Sequence, residues 1–201
     1  PRHPVSAGGT APAPAYSIWP GEIALAEDAQ GRILTATDEG IARWDGRAWR
    51  QWTSRDGLPD TAVRAIFFDA TGALWVGCSG RGLYRWIGYG ASDHWTTASG
   101  LPAAVVWSLA RDGAGRLLAA TSRGVALLDD DGRRFHPVAA TGKATALVTN
   151  LARDDRGVVW WMQGSALMAL QPDALAARSV RAEPEVEKVL AGPGGPYLVE
   201  R

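Results

Sequence analysis

Cysteine is almost absent from this sequence: Cys78 is the only one in 201 residues, which excludes a disulfide framework within the chain and any Cys-rich zinc site. Histidine is nearly as scarce, and His3, His94 and His136 are scattered without the spacing of metal ligands. Neither sign of charge is in excess, with 21 Lys and Arg against 21 Asp and Glu. No Lys/Arg run supplies the electrostatic footprint of a nucleic-acid binder, so nucleic acid is not an expected partner. No apolar run reaches the roughly 18 residues of a membrane span. No segment carries a convincing helical period, Ala174 to Ala177 offering one turn at most. The chain opens at Pro1 with neither an initiator Met nor a signal-peptide pattern, as a segment of a longer protein would. What is abundant is 24 Gly, 12 Pro and 10 Trp within a 46% hydrophobic composition, which describes a folded, turn-rich chain and not a disordered one.

One phrase recurs, V-x-x-Φ-x-x-D-x-x-G-x-Φ-Φ with Φ apolar. Its clearest copy is Val63, Ile66, Asp69, Gly72, Leu74 and Trp75. Further copies run Val106, Leu109, Asp112, Gly115, Leu117, Leu118 and Val148, Leu151, Asp154, Gly157, Val159, Trp160. An earlier one holds Leu25, Asp28, Gly31, Ile33, Leu34, and a last one Val186, Val189, Gly192, Gly195, Tyr197, Leu198, with Gly192 in place of the Asp. The repeat is therefore about 42 residues long, and self-similarity at that period is read before secondary structure because it decides the architecture.

Each unit divides into short apolar strands separated by turns. In the second, Val63 to Phe68, Leu74 to Cys78, Leu83 to Ile87 and a strand around His94-Trp95 are parted by Asp69-Ala70-Thr71-Gly72, Gly80-Arg81-Gly82 and Gly88-Tyr89-Gly90. The first unit offers Ile33 to Thr37, Ile41 to Trp44 and Trp49 to Trp52 in the same arrangement. Four strands per repeat of this length predict an all-β fold, a β-propeller segment of four-stranded antiparallel blades. Trp75 and Trp160 share one repeat position, and Trp44 and Trp86 another, which assigns them to packing between blades.

Arg2-His3-Pro4-Val5 resembles Phe135-His136-Pro137-Val138 of an outer strand, so residues 1–15 read as the tail of a preceding blade with a linker. Blades are expected over 16–56, 57–99, 100–142 and 143–184, and the first half of another over 185–201. An open arc of this kind leaves apolar faces and strand edges to be covered, by the missing blades of the same parent chain or by association.

From Gly40-Ile41-Ala42-Arg43-Trp44-Asp45-Gly46 through Asp56-Gly57-Leu58-Pro59 to Leu74-Trp75-Val76-Gly77, the sequence resembles the two-component regulator propeller repeat. Ser99-Gly100-Leu101-Pro102 opens a second matching copy, which departs where Leu118 replaces the Trp; the copy around Trp160 lacks the Gly-Leu-Pro lead and has Met162-Gln163 for the Gly-Thr pair. The resemblance implies part of a seven-bladed ring in the periplasmic sensor ectodomain of an inner-membrane receptor, joined to a histidine kinase, a diguanylate cyclase or a similar output. It implies a non-catalytic module that binds a small polar molecule or a glycan, or that dimerises through the propeller. A secreted propeller enzyme, a lyase or glycan-acting protein, is the alternative, and a protein-interaction scaffold the third reading.

No catalytic residue, metal site or cofactor is assigned. His94 and His136 fall at outer strands, both expected as half-buried edge residues, remote from a ligand mouth. Cys78 holds the repeat position of Thr37 and Thr121 and reads as a buried structural thiol. Asp129-Asp130-Asp131-Gly132 lacks the alternating ligands and distal Glu of a calcium loop and aligns with the Asp45-Gly46 hairpin turn. The binding surface is expected where loops entering the innermost strands and loops joining second to third strands share one face. These contribute Asp38, Arg55, Asp60, Arg81, Arg123 and Gln163, while Trp107 and Asn150 take the place that Arg64 holds in the best copy.

Overall fold

Short apolar strands separated by glycine turns hide their hydrophobic sides by stacking one sheet against the next. The computed structural model, which describes residues 24–37, 39–59, 62–69, 71–88, 91–140, 146–182, 186–192 and 195–200, has this architecture. The first blade is β1 (Leu25–Glu27), β2 (Ile33–Thr37), β3 (Gly40–Trp44) and β4 (Trp49–Trp52), paired in chain order. The second is β5 (Val63–Phe68), β6 (Leu74–Cys78), β7 (Leu83–Gly88) and β8 (Ala91–Trp95), and the third β9 (Val106–Arg111), β10 (Leu117–Thr121), β11 (Gly124–Leu128) and β12 (Phe135–Pro137). All pairings within these three sheets are antiparallel, as the repeat predicts.

The fourth sheet departs from the pattern. Before its own strands comes β13 (Ala139–Ala140); β14 (Ala152–Arg153), β15 (Val159–Gln163), β16 (Ala166–Leu170) and β17 (Ala176–Ala182) then follow in blade order. β13 adds to the outer edge, parallel to β17, with Ala139 opposite Ala176 and Ala140 opposite Ala177. The sequence gives Ala174 to Ala177 one helical turn at most; Ala176 and Ala177 instead open β17, because an available edge strand offers their backbone a ladder. A hairpin of β18 (Val186–Gly192) and β19 (Gly195–Glu200) packs against the fourth blade through Val189 and Leu198. The outer-strand reading of residues 2–5 lies outside the described residues.

The core lies between the blades. Leu34 and Ile41 of the first meet Val63, Ile66 and Val76 of the second; Trp75, Leu83 and Trp95 meet Val106, Leu117 and Phe135; Leu118 and Leu127 meet Val159, Trp161 and Met168. Aromatic pairs cross the first two seams: Trp52 lies 5.2 Å from Trp86, and Trp95 lies 6.4 Å from Phe135 and donates its indole N–H to the Gly132 carbonyl at 3.1 Å. Trp75 and Trp160 are buried, as the packing assignment requires.

The repeated aspartate does more than start a turn. Asp69 Oδ1 accepts from the amides of Thr71 (2.9 Å) and Ala73 (3.0 Å), and its Oδ2 accepts from Trp75 Nε1 at 2.9 Å. Asp154 repeats this with the amides of Arg156 and Val158 and with Trp160 Nε1. Where the tryptophan is missing, an arginine two residues earlier takes its bond. Asp112 Oδ2 accepts from Arg116 Nε at 2.8 Å beside Leu118, and Asp28 Oδ2 from Arg32 Nε at 2.6 Å beside Leu34. The loss of tryptophan at Leu118 is thus a substitution of one donor for another.

Burial of Asp154 and Asp69 opposes their ionisation, but hydrogen bonds from the Thr71 hydroxyl at Asp69, and from the indole and amides at both, outweigh it and hold both carboxyls below the usual carboxylate range. Asp28 is lowered likewise, the bonds from Arg32 and Gln30 outweighing burial. Carboxyls depressed in the folded state stabilise it fully above the unfolded value of 3.8 and cease to do so as pH falls through the folded values. The thermal midpoint is therefore expected to stay level from about pH 7 to about pH 5 and to drop steeply below about pH 4. A melting series by circular dichroism checks this, and a midpoint unchanged down to about pH 2.5 would contradict it.

Candidate functional site

The ladders of two innermost strands slip near their start. Val63 pairs with Cys78 but Ala65 with Gly77, leaving Arg64 as an extra residue; Val106 pairs with Thr121 but Ser108 with Ala120, leaving Trp107 extra. A β-bulge of this kind twists the strand and re-aims the side chain it carries. The residues opposite are small, Gly77 and Ala120, and a Cβ on Gly77 would press on Val106 and Ala65. Arg64 and Trp107 come together across the seam, the guanidinium carbon lying 5.5 Å from the indole centroid.

Their position is fixed by backbone bonds from the loops between second and third strands. Ser79 N donates to Ala62 O at 2.9 Å, Gly82 N to Ala104 O at 2.7 Å, Ser122 N to Val105 O at 3.3 Å and Val148 N to Thr121 O at 3.1 Å. Ser108 Oγ accepts from Leu151 N at 3.1 Å and joins the third blade to the segment entering the fourth. The result is a cavity of about 220 Å³ whose wall includes Leu25, Arg64, Trp107, Ser108, Thr149 and Asn150. Trp107 Nε1 and Asn150 Oδ1 are both shielded from water with no hydrogen-bond partner among the described residues. Leaving such groups unsatisfied costs about 1–3 kcal/mol each.

The residues expected at a binding surface are distributed unevenly. Trp107 and Asn150 share the cavity wall. Asn150 does not hold the place of Arg64, however: Ala152 faces Trp160 as Phe67 faces Trp75, so Thr149 corresponds to Arg64 and Trp107, and Asn150 to Ala65 and Ser108. Arg55, Arg81 and Arg123 are exposed on loops and do not line the cavity. Gln163 is occupied in part by accepting from Trp161 Nε1 at 3.1 Å. Asp38 and Asp60 lie outside the described residues. Arg64, Ser108 and Thr149 complete the wall; a repeat alignment locates them, but the bulge that turns Arg64 and Trp107 together has no signature of its own.

Larger clefts of about 380 and 640 Å³ open between blades near the aspartate turns, but most of their charged groups are engaged locally. Arg116 is ion-paired with Asp112 at 2.7 Å, and Arg111 lies 3.8 Å from Asp69. Asp129 Oδ1 accepts from the Arg133 and Arg134 amides, and the bond from Arg134 leads the effects that hold its carboxyl at about 2. The Asp129 to Gly132 run is accordingly a hairpin turn.

His94 is exposed and not half-buried as expected, because the outermost strand leaves its ring on the surface, stacked 4.0 Å from Tyr84 with Nε2 2.6 Å from Arg81 O. His136, also expected to be half-buried, is exposed for the same reason, 3.6 Å from Asp129. Cys78 is fully buried, and burial pushes its thiol up to about 12. Ellman's reagent is therefore expected to leave Cys78 unmodified in the folded chain at pH 8 and to titrate it fully in guanidinium; rapid labelling of the native chain would contradict this burial.

Residues 57–80 match the family model described as Two component regulator propeller, a stretch that runs from the Gly-Leu-Pro lead through the Arg64 bulge to the Gly80 turn. The chain thus carries a repeat of that kind. Among solved structures, the extracellular domain of a hybrid two component system of B. thetaiotaomicron superposes with a TM-score of 0.64 at 18% identity, over 83% of this chain and 24% of that one. A second such domain from the same organism gives 0.56 at 17%, over 88% and 30%. Virginiamycin B lyase from Staphylococcus aureus gives 0.70 at 11%, over 90% and 63%. At these identities the likeness is one of fold, and the chain spans about a quarter of the first domain's length. No curated protein sequence matches it. No helix among the described residues is long and apolar enough to cross a membrane.

Proposed function

We propose that this chain is a stretch of a sensor propeller on the periplasmic side of a membrane-bound signalling receptor. In this reading it binds a small polar molecule or an oligosaccharide at the channel mouth and leaves it chemically unchanged. The observation that carries it is the two component regulator propeller repeat at residues 57–80, which includes one of the two bulges that build the cavity. The described lining, which includes Arg64, Trp107, Ser108, Thr149 and Asn150, offers polar and aromatic side chains suited to a small polar ligand. Further blades of the parent chain would complete the ring, a seven-bladed one on the family resemblance, and a second copy would meet it through the propeller.

The superposition on virginiamycin B lyase favours a second reading, a propeller enzyme. One experiment separates the two. The chain is incubated with a mixture of small polar metabolites and glycan fragments, the bound fraction is recovered by size exclusion, and both fractions are weighed by mass spectrometry before and after overnight incubation. Enrichment of an intact compound is the result expected of a sensor. Steady consumption with appearance of a product would remove the sensor reading and establish the enzyme.

A further inference from the structure

One position of the blade, where third and fourth strands face each other, is filled differently in each repeat. In the second blade Arg85 stands opposite Asp93, and the two are ion-paired, Arg85 Nε donating to Asp93 Oδ2 at 2.9 Å and Nη2 to the same oxygen. In the third, Leu127 stands opposite His136, and in the fourth, Ala169 opposite Arg178. In the first blade the pair is Arg43 opposite Arg50. Residues directly opposite in an antiparallel ladder carry their side chains on one face within reach of each other, and like charges so placed repel. The first blade therefore sets two cations where the second sets a cation and its counter-ion.

The surroundings do not neutralise the pair. Among the described residues neither Arg43 nor Arg50 makes an ion pair or donates a side-chain hydrogen bond. Asp45, the nearest acid along β3, is engaged in its own turn, where Oδ1 accepts from the amides of Arg47 (2.9 Å) and Ala48 (3.0 Å). Arg43 is held in place by Trp52, with its guanidinium carbon 4.9 Å from the ring centroid, and Trp52 is itself packed against Trp86 of the next blade. Of the Arg43 nitrogens only Nε is shielded from water without a partner, so the two terminal nitrogens remain open to a ligand. Arg50 is exposed.

We propose that Arg43 and Arg50, beside Trp52 at the outer part of the seam between the first two blades, form a site for a small organic carboxylate that lies between the two guanidinium groups. Asp93 is the internal template, since its carboxylate occupies the corresponding place in the second blade. Carboxylate and guanidinium match in geometry, and the charge-assisted bonds turn the repulsion into attraction. The site stands apart from the channel cavity and does not depend on the sensor reading.

The test is a titration of the ¹⁵N-labelled full chain at low ionic strength with sodium acetate, and with sodium chloride as the control, observing the Trp52 indole N–H signal identified by Trp52→Phe. The signal is expected to move saturably with acetate and to respond to chloride weakly and without saturation. Arg50→Gln should weaken the acetate response roughly threefold or more. A response as strong with chloride, or one unchanged in Arg50→Gln, would overturn the assignment, as would a Trp52 signal indifferent to acetate. A second measurement needs no ligand. Arg50→Asp supplies the carboxylate from the chain itself, and in chloride it should melt about 1–4 °C above Arg50→Gln and lose the acetate response. Melting at or below Arg50→Gln would show that Arg43 has no use for a carboxylate there and would overturn the site.

Discussion

Replacing Asp154 with Ala is expected to lower the stability of the chain by about 3 kcal/mol, read as a large fall in the thermal midpoint or as complete unfolding. Asp154 is 3% exposed and its carboxylate serves four donors, the amides of Arg156 and Val158, the indole of Trp160 and, at 3.4 Å, the Arg156 guanidinium. Alanine leaves the Val158 and Trp160 donors buried and unpaired, at about 1–3 kcal/mol each before relaxation. Asp154→Asn should recover part of the loss, since its carbonyl can serve either the turn amides or the indole but not both sides as an ionised carboxylate does. The same change at Asp28 should cost less, because Gln30 and Arg32, which it serves, are more open to water and can turn to it. Equal losses at the two positions, measured by urea unfolding, would mean that the aspartates act only as turn formers.

Gly82→Ala should be as damaging, by about 3 kcal/mol or more. Gly82 has φ +79°, in the left-handed region, which by itself disfavours a side chain by roughly 1 kcal/mol. A Cβ there would also lie deep inside contact distance of the Trp95 carbonyl oxygen, a backbone atom that cannot swing aside. The outer strand β8 would have to leave β7, opening the seam where Trp95 packs on Phe135. By contrast Gly80→Ala, at φ +92° with open space around it, should cost only the conformational strain. The pair of melting curves separates close packing from turn geometry, and equal losses would contradict the close-approach explanation.

Much of this fold was legible because the repeat is written in residues with fixed backbone roles. The Asp-x-x-Gly phrase placed the hairpin between first and second strands in every blade, and the strands of the second unit follow from it almost residue for residue. What escaped is set by contacts between distant segments. Nothing local to Ala139-Ala140 announces a parallel edge strand, because the partner is Ala176-Ala177 in the next unit. The short 3₁₀ turns at Ser54–Asp56 and Thr97–Ser99 were written locally, as Thr53 and Thr96 capping boxes closed by Gly57 and Gly100, but each is too short for a periodicity argument. The Arg116-for-Trp exchange beside Leu118 is readable only once Asp112 is seen to need a second donor.

The site divides in the same way. Trp107 stood out as a departure from the repeat, and it belongs to the cavity wall. Charge and exposure single out the loop cations Arg55, Arg81 and Arg123, but these properties place a residue on a surface without aiming it at anything. By sequence Arg64 is the unexceptional member of its repeat position, yet the bulge turns it onto Trp107. Bulges arise from ladder register between strands, so the sequence pattern carries the residue without its direction.

The account stands most directly on one comparison, that of ligand capture by channel-wall and loop-rim variants. The same metabolite and glycan mixture is presented to the unaltered chain, to Arg64→Ala and Trp107→Ala, and to Arg55→Ala and Arg123→Ala, after melting curves have shown which variants keep the fold. The expected result is that both channel-wall variants lose the captured compound by roughly tenfold or more while both rim variants retain it. Retention by the wall variants with loss at the rim would contradict a binding site built on the two bulges.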